Sequence, residues 1–159
     1  MSNYLVTVVM LSVVLLTGCS NTNGRHQHYG DVDHEHAVNI AKGMLGVPYL
    51  YGGETPETGF DCSGLVVYSY QQVGITLPRT TFDQYKSTLP IGKHRIRPGD
   101  LLFFRISRVR ISHVGIYLGG NRFIHAPSTG KVVSIARLDN PYWLKRFIAA
   151  RRITGRKHF

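Results

Sequence analysis

An α+β fold, with helices packed on an antiparallel sheet, is what this chain predicts, and a change of period along it carries the prediction. As far as Tyr85 the apolar residues recur at helical spacing, whereas after Arg97-Pro98-Gly99-Asp100 they recur in short alternating runs. Helices first and strands second mean segregated layers. A length of 159 residues without an internal repeat suits one domain.

The elements follow in order. Ala37, Val38, Ile40, Ala41, Met44 and Leu45 predict a helix over Glu35–Leu45, stopped by Gly46-Val47-Pro48. A Gly/Pro-rich loop runs from Pro48 to Gly59, and a second helix starts at Cys62 and continues without a breaker to Gly74. Leu77-Pro78-Arg79-Thr80 leads into a short helix around Phe82–Tyr85. Pro98 and Gly99 stand at the favoured centre of a turn. Strands are then expected at Leu101–Phe104, His113–Leu118, Arg122–His125, Lys131–Ile135 and Phe147–Ile153.

Residues 1–18 fall outside that domain. Leu5 to Leu16 is an apolar run broken only by Thr and Ser, too short to span a bilayer comfortably, and it ends in Thr17-Gly18-Cys19. The pattern resembles a bacterial lipoprotein signal cut before Cys19, whose thiol would receive the lipid and anchor the chain to a membrane. Ser20, in place of Asp, resembles lipoproteins sent to the outer membrane, facing the periplasm. Residues 19–33 are polar and read as a tether of about 45–50 Å when extended; residues 34–159 form the domain. His26, His28, His34 and His36 give H-x-H pairs on or beside this tether, without a frame for tetrahedral ligation, so no metal is expected.

The formal charge of +10 lies wholly beyond residue 18. Its clusters are Lys93, Arg95, Arg97, Arg105, Arg108 and Arg110, then Arg146, Arg151, Arg152, Arg156 and Lys157. Such a surface attracts polyanions. In an exported protein an acidic wall polymer or a phospholipid headgroup fits better than nucleic acid, and a monomer is expected.

With Cys19 lipidated, Cys62 is the one remaining thiol, with no partner for a disulfide in an oxidising compartment. It sits in Phe60-Asp61-Cys62-Ser63-Gly64, at a helix start whose free N–H groups and dipole favour thiolate. Asp61 is a good N-cap, and the small neighbours leave the sulfur open. His113 and His125 can supply a base and its orienter. A three-residue loop Gly119-Gly120-Asn121 would oppose 118 to 122 and 116 to 124. It would put His113, Gly115, Tyr117, Phe123 and His125 on one face, and Val114, Ile116, Ile124 and Ala126 on the other. A two-residue loop would separate the histidines. Acyl transfer by Cys62 is then expected, with His113 as base and acid, His125 holding His113, and the Cys62 N–H as an oxyanion donor beside the Tyr51 hydroxyl.

Six blocks in order resemble the NlpC/P60 cell-wall peptidases: Pro48-Tyr49-Leu50-Tyr51-Gly52-Gly53, Phe60-Asp61-Cys62-Ser63-Gly64, Leu77-Pro78-Arg79-Thr80, Arg97-Pro98-Gly99-Asp100-Leu101, Ser112-His113-Val114-Gly115-Ile116-Tyr117 and Phe123-Ile124-His125-Ala126. The lipoprotein form is similar to the NlpC/Spr murein endopeptidases. The resemblance implies a papain-like fold and hydrolysis of peptidoglycan stem peptides by Cys62, His113 and His125, with Tyr51 near the oxyanion. It also implies that Asp61 and Ser63 line the acyl-side pocket, that Arg79 meets a substrate carboxylate, and that no cofactor is needed. Relatives cut either the γ-D-glutamyl–diaminopimelate or the D-alanyl–diaminopimelate bond. Two other functions fit the sequence: a non-catalytic wall-binding lipoprotein, and an amidase or acyltransferase on the same fold.

Overall fold

The computed structural model of the protein describes residues 32–107 and 111–155. The signal segment, nearly all of the tether, Cys19, Arg108, Arg110, Arg156 and Lys157 lie outside them. Helix α1 (His34–Gly43) is capped by Asp33, whose carboxylate accepts the His36 N–H at 2.9 Å. It ends before the expected Leu45, because the N–H groups of Met44 and Leu45 turn back onto Ala41 and Lys42. A small ladder, β1 (Glu54–Thr55) and β2 (Gly59–Phe60), precedes α2 (Cys62–Gln71) and α3 (Thr81–Lys86).

The main sheet holds β3 (Leu89–Ile91), β4 (Leu101–Phe104), β5 (His113–Gly119), β6 (Arg122–His125), β7 (Ser134–Arg137) and β8 (Phe147–Arg152), in the order β3-β8-β4-β5-β6-β7. Every pairing is antiparallel. A short helix α4 (Pro141–Leu144) enters β8, with Asn140 as its cap and Pro141 in the first turn. The expected α+β layering is therefore present.

Not expected from sequence are the β1–β2 ladder, β3, a single 3-10 turn at Lys93–Arg95, and α4. Strand β3 carries Pro90, which a strand tolerates at an edge, and it pairs with β8 alone. The expected Lys131–Ile135 strand is displaced to Ser134–Arg137. Residues 131–133 instead hold the loop before β1: the Val133 N–H donates to the Val47 carbonyl and the Tyr49 N–H to the Lys131 carbonyl.

The sheet is buried on both faces. On one, Ala37, Val38 and Ala41 of α1 and Leu65, Val66 and Tyr70 of α2 pack with Val114, Ile116 and Ile124. On the other, Leu102, Phe104, Phe123 and Ala150 pack with Trp143 and Phe147. Truncating Leu65 to Ala would cost about 2–5 kcal/mol.

The β5–β6 hairpin reaches the expected faces by a different route. Ile116 faces Ile124 and Tyr117 faces Phe123, but Gly119, not Leu118, then faces Arg122. The turn is two residues long: Gly120 and Asn121 both have φ +57°, the left-handed pair that suits strand twist. Leu118 is the extra residue of a bulge, and that bulge restores the parity a two-residue turn would have reversed.

Candidate active site

The start of α2 is fixed by Asp61. Its Oδ1 accepts the Gly64 N–H at 2.7 Å and its Oδ2 the Gly52 N–H at 3.0 Å, so one carboxylate caps the helix and ties down the preceding turn. A Cβ on Gly64 would run into the Gly53 carbonyl oxygen, so glycine alone permits this backbone approach.

Cys62, the first residue of α2, is half-buried and free. Its Sγ lies 3.5 Å from Thr81 Oγ1, and a backbone hydrogen bond from Val114, the residue after His113, reaches the sulfur. Burial pushes the thiol up from its ordinary value and outweighs these two donors. The helix start alone suggested the opposite direction. The packing of α2 against β5 opposes what the helix start favours.

His113 and His125 come together as the hairpin parity requires. His113 Nε2 lies 2.9 Å from His125 Nδ1, and both rings are buried. Burial lowers His113 to about 3, with a further contribution from His125, and lowers His125 to about 4. Trp143 covers the pair: its ring stacks on His113 at 5.6 Å and meets His125 edge-on at 4.9 Å. No sequence pattern announced this role for the single tryptophan, because α4 is four residues long and carries no periodicity.

Arg79 makes four hydrogen bonds inside the protein through Nη1 and Nη2. Nη1 donates to Asp61 Oδ1 at 3.0 Å and to Ser63 Oγ at 2.9 Å; Nη2 donates to Asp61 Oδ2 at 2.8 Å and to the Gly53 carbonyl at 3.3 Å. Nε pairs with Glu54 at 3.0 Å. Asp61, Ser63 and Arg79 thus form one network beside Cys62. A substrate carboxylate can reach Arg79 only by displacing one of these partners, of which Glu54 is the most exposed. Although burial alone would raise the Asp61 carboxyl, the bonds from Arg79, Gly64 and Ser63 hold it below its usual range.

The tyrosine expected near the oxyanion is placed elsewhere. Tyr51 is 87% exposed. Tyr49 is half-buried on the same side of the core as Cys62, and its hydroxyl is raised first by burial and then by the charges of Cys62 and Asp61. The two tyrosines stand two residues apart in one loop. The signal that separates them is the bridge of Tyr49 to Phe60, which turns Tyr49 toward the helix start.

A cysteine at a helix start, its sulfur reached by the backbone of Val114 next to a hydrogen-bonded histidine pair on an antiparallel sheet, defines a papain-like cysteine-peptidase arrangement. Residues 46–152 match the NlpC/P60 family, and the chain belongs to it. The probable endopeptidase YafL of Escherichia coli is 42% identical over 138 residues, which are 80% of this chain and 55% of that protein. Murein DD-endopeptidase MepH of Escherichia coli is 42% identical over 121 residues, 74% of this chain and 45% of that one. The probable endopeptidase NlpC of Escherichia coli is 39% identical over 155 residues, 92% and 97% of the two chains. The chain spans about half the length of YafL and MepH. Among solved structures, the NlpC/p60 domain of the peptidoglycan hydrolase SagA superposes with a TM-score of 0.66 at 34% identity, over 77% of this chain and 100% of that one. A lipoprotein-like NLP/P60 protein of Staphylococcus aureus gives 0.69 at 40% identity, over 76% and 41%.

Proposed function

We propose that this protein is a cysteine endopeptidase that hydrolyses stem-peptide amide bonds of murein. The observation that carries the reading is the His113–His125 contact, one residue along β5 from the Val114 backbone that reaches the Cys62 sulfur at the head of α2. Neither a thiolate nor an imidazolium is stable alone in so buried a site, so the two charges arise together. The Cys62 thiol gives its proton to His113 as sulfur attacks the scissile carbonyl carbon. The Cys62 N–H and the Tyr49 hydroxyl receive the oxyanion. On collapse the C–N bond breaks, the amine leaves with the proton from His113, and a thioester remains on Cys62. Water, deprotonated by His113, then releases the acid and restores the thiol. His125 keeps the His113 ring in place, and Arg79 with Asp61 and Ser63 shapes the acyl side.

The sequence around Cys19 supports export and attachment, so the domain works as a monomeric lipoprotein of the outer membrane, facing the periplasm, on a tether. Purified murein digested by the protein should yield new amino termini, identified by mass spectrometry, which also names the bond cut. Cys62→Ala should yield none while keeping its melting temperature. Continued hydrolysis by that variant would end the proposal. Acyl mass on Cys19, lost in Cys19→Ala, tests the anchor separately.

A further inference from the structure

A cavity of about 480 Å³ lies on the side of α2 turned away from the sheet, between β1 and the loop at residues 75–77, and the steps of acyl transfer make no use of it. Its polar lining is Glu54, Thr55, Tyr68, Gln71, Gln72 and Thr76. The chain carries 19 Lys and Arg residues, yet none of those among the described residues lines this cavity. Its one charge, on Glu54, is paired with Arg79. An anionic ligand finds no cation here, and an apolar one would leave amides and hydroxyls unpaired, a costly outcome.

Two amides, which both donate and accept, three hydroxyls, which do the same, and the one aromatic ring, that of Tyr68, suit an uncharged polyhydroxylated ligand with acetamido groups. The Tyr68 ring is held against Phe60, with centroids 5.3 Å apart, so it is a fixed platform. The volume falls within the usual range for a small-molecule site. We infer that this cavity is a subsite for the amino-sugar strand of the substrate. The inference rests on the reading that Cys62 cleaves murein stem peptides.

The spacing agrees. Tyr68 and Gln72 stand six and ten residues beyond Cys62 on or just past α2, about 9 and 15 Å along the helix axis. An extended peptide covers that span in about three to five residues. A sugar held at Tyr68 therefore leaves its peptide arm long enough to reach the sulfur. Glu54 links the two sites physically, through Arg79 and Asp61.

The test compares a disaccharide-bearing muropeptide with the same stem peptide stripped of sugar. Gln71→Ala/Gln72→Ala changes two exposed side chains and should raise KM for the sugar-bearing substrate about tenfold, with kcat unchanged. Kinetics on the bare peptide should stay the same. Equal effects on both substrates, or none on either, would overturn the subsite. Binding of peptide-free murein glycan to the Cys62→Ala protein, followed by NMR, keeps this test apart from catalysis. Saturable shifts at Tyr68 and Thr76, weakened by the double substitution, support the subsite even if no bond is cut. Their absence refutes it even if murein is hydrolysed.

Discussion

His113 Nε2 lies 2.9 Å from His125 Nδ1, and this one contact decides which nitrogen of His113 can do chemistry. One ring must donate and the other accept. If His125 donated from Nδ1, a neutral His113 would carry its proton on Nδ1 and could not take another there. The productive tautomer therefore has the His113 Nε2–H donating to His125, which leaves the His113 Nδ1 lone pair as the acceptor for the thiol proton. His125 is thus a hydrogen-bond acceptor in the working state, and its own Nε2 carries the proton.

The buried pair makes folding stability depend on pH in a definite direction. Both histidines are depressed in the folded protein, to about 3 and about 4, from an ordinary value of 6.5. The unfolded chain takes up protons below pH 6.5 while the folded chain does not, so stability falls as pH drops from 6.5 toward 4. Each histidine contributes a slope approaching about 1.4 kcal/mol per pH unit. Urea midpoints at pH 7 and pH 4.5 should differ by about 3–5 kcal/mol of stability. His125→Asn should reduce that difference by roughly half. An unchanged midpoint would mean that the rings are not buried as neutral groups. Asp61 acts in a lower window, because its contribution is present above its unfolded value of 3.8 and is lost as pH falls through its depressed folded value.

Tyr49 and Tyr51 make a paired experiment. Tyr49→Phe removes the hydroxyl assigned to the oxyanion and should lower kcat by about 10²-fold, the scale of one such donor. Tyr51→Phe, at an exposed position, should change kcat less than twofold. Reversal of that order would return the oxyanion role to Tyr51.

Arg79→Lys tests the network beside Cys62. Lysine brings three donors from a single nitrogen and cannot reproduce the planar fork on Asp61, Ser63 and Gly53. The expected loss is about 1–3 kcal/mol, less than for a fully buried pair, because the guanidinium is about one-third exposed. Thermal unfolding measures it. The Asp61 carboxyl should also titrate closer to its ordinary value by NMR, and an unmoved Asp61 would show that the cap, not Arg79, depresses it.

What the sequence disclosed was local, and what it concealed was long-range. The Asp61 cap and the helix from Cys62 follow from i+3 capping, which a few consecutive residues specify, whereas the shared face of His113 and His125 is reached through a bulge at Leu118 that the expected three-residue loop did not contain. The choice between Tyr49 and Tyr51 depends on Phe60 and on residues 131–133, far along the chain, and so was not legible. Trp143 sits over the histidines only because β8 returns beside β4. The burial of Cys62 was hidden for the same reason. A helix start is a local feature favouring thiolate, whereas the burial that opposes it comes from β5 and the rest of the fold.

The roles of the two histidines separate kinetically. His113→Ala removes the group that exchanges protons with sulfur and leaving amine, a loss of roughly 10²–10⁴-fold for such groups. His125→Asn keeps an oxygen that can accept the His113 Nε2–H, so it should retain a measurable part of the wild-type rate, with His125→Ala between the two. Alkylation by iodoacetamide provides a substrate-independent reading. At pH 7, Cys62 should react at least tenfold more slowly in His113→Ala than in wild type, although the smaller side chain opens access to the sulfur. In His125→Asn the alkylation rate should stay near wild type, because the acceptor is kept. Should His113→Ala alkylate as fast as wild type, the thiol would not be giving its proton to that ring. Should His125→Asn be as inactive as His113→Ala with its fold intact, His125 would be more than an orienting residue.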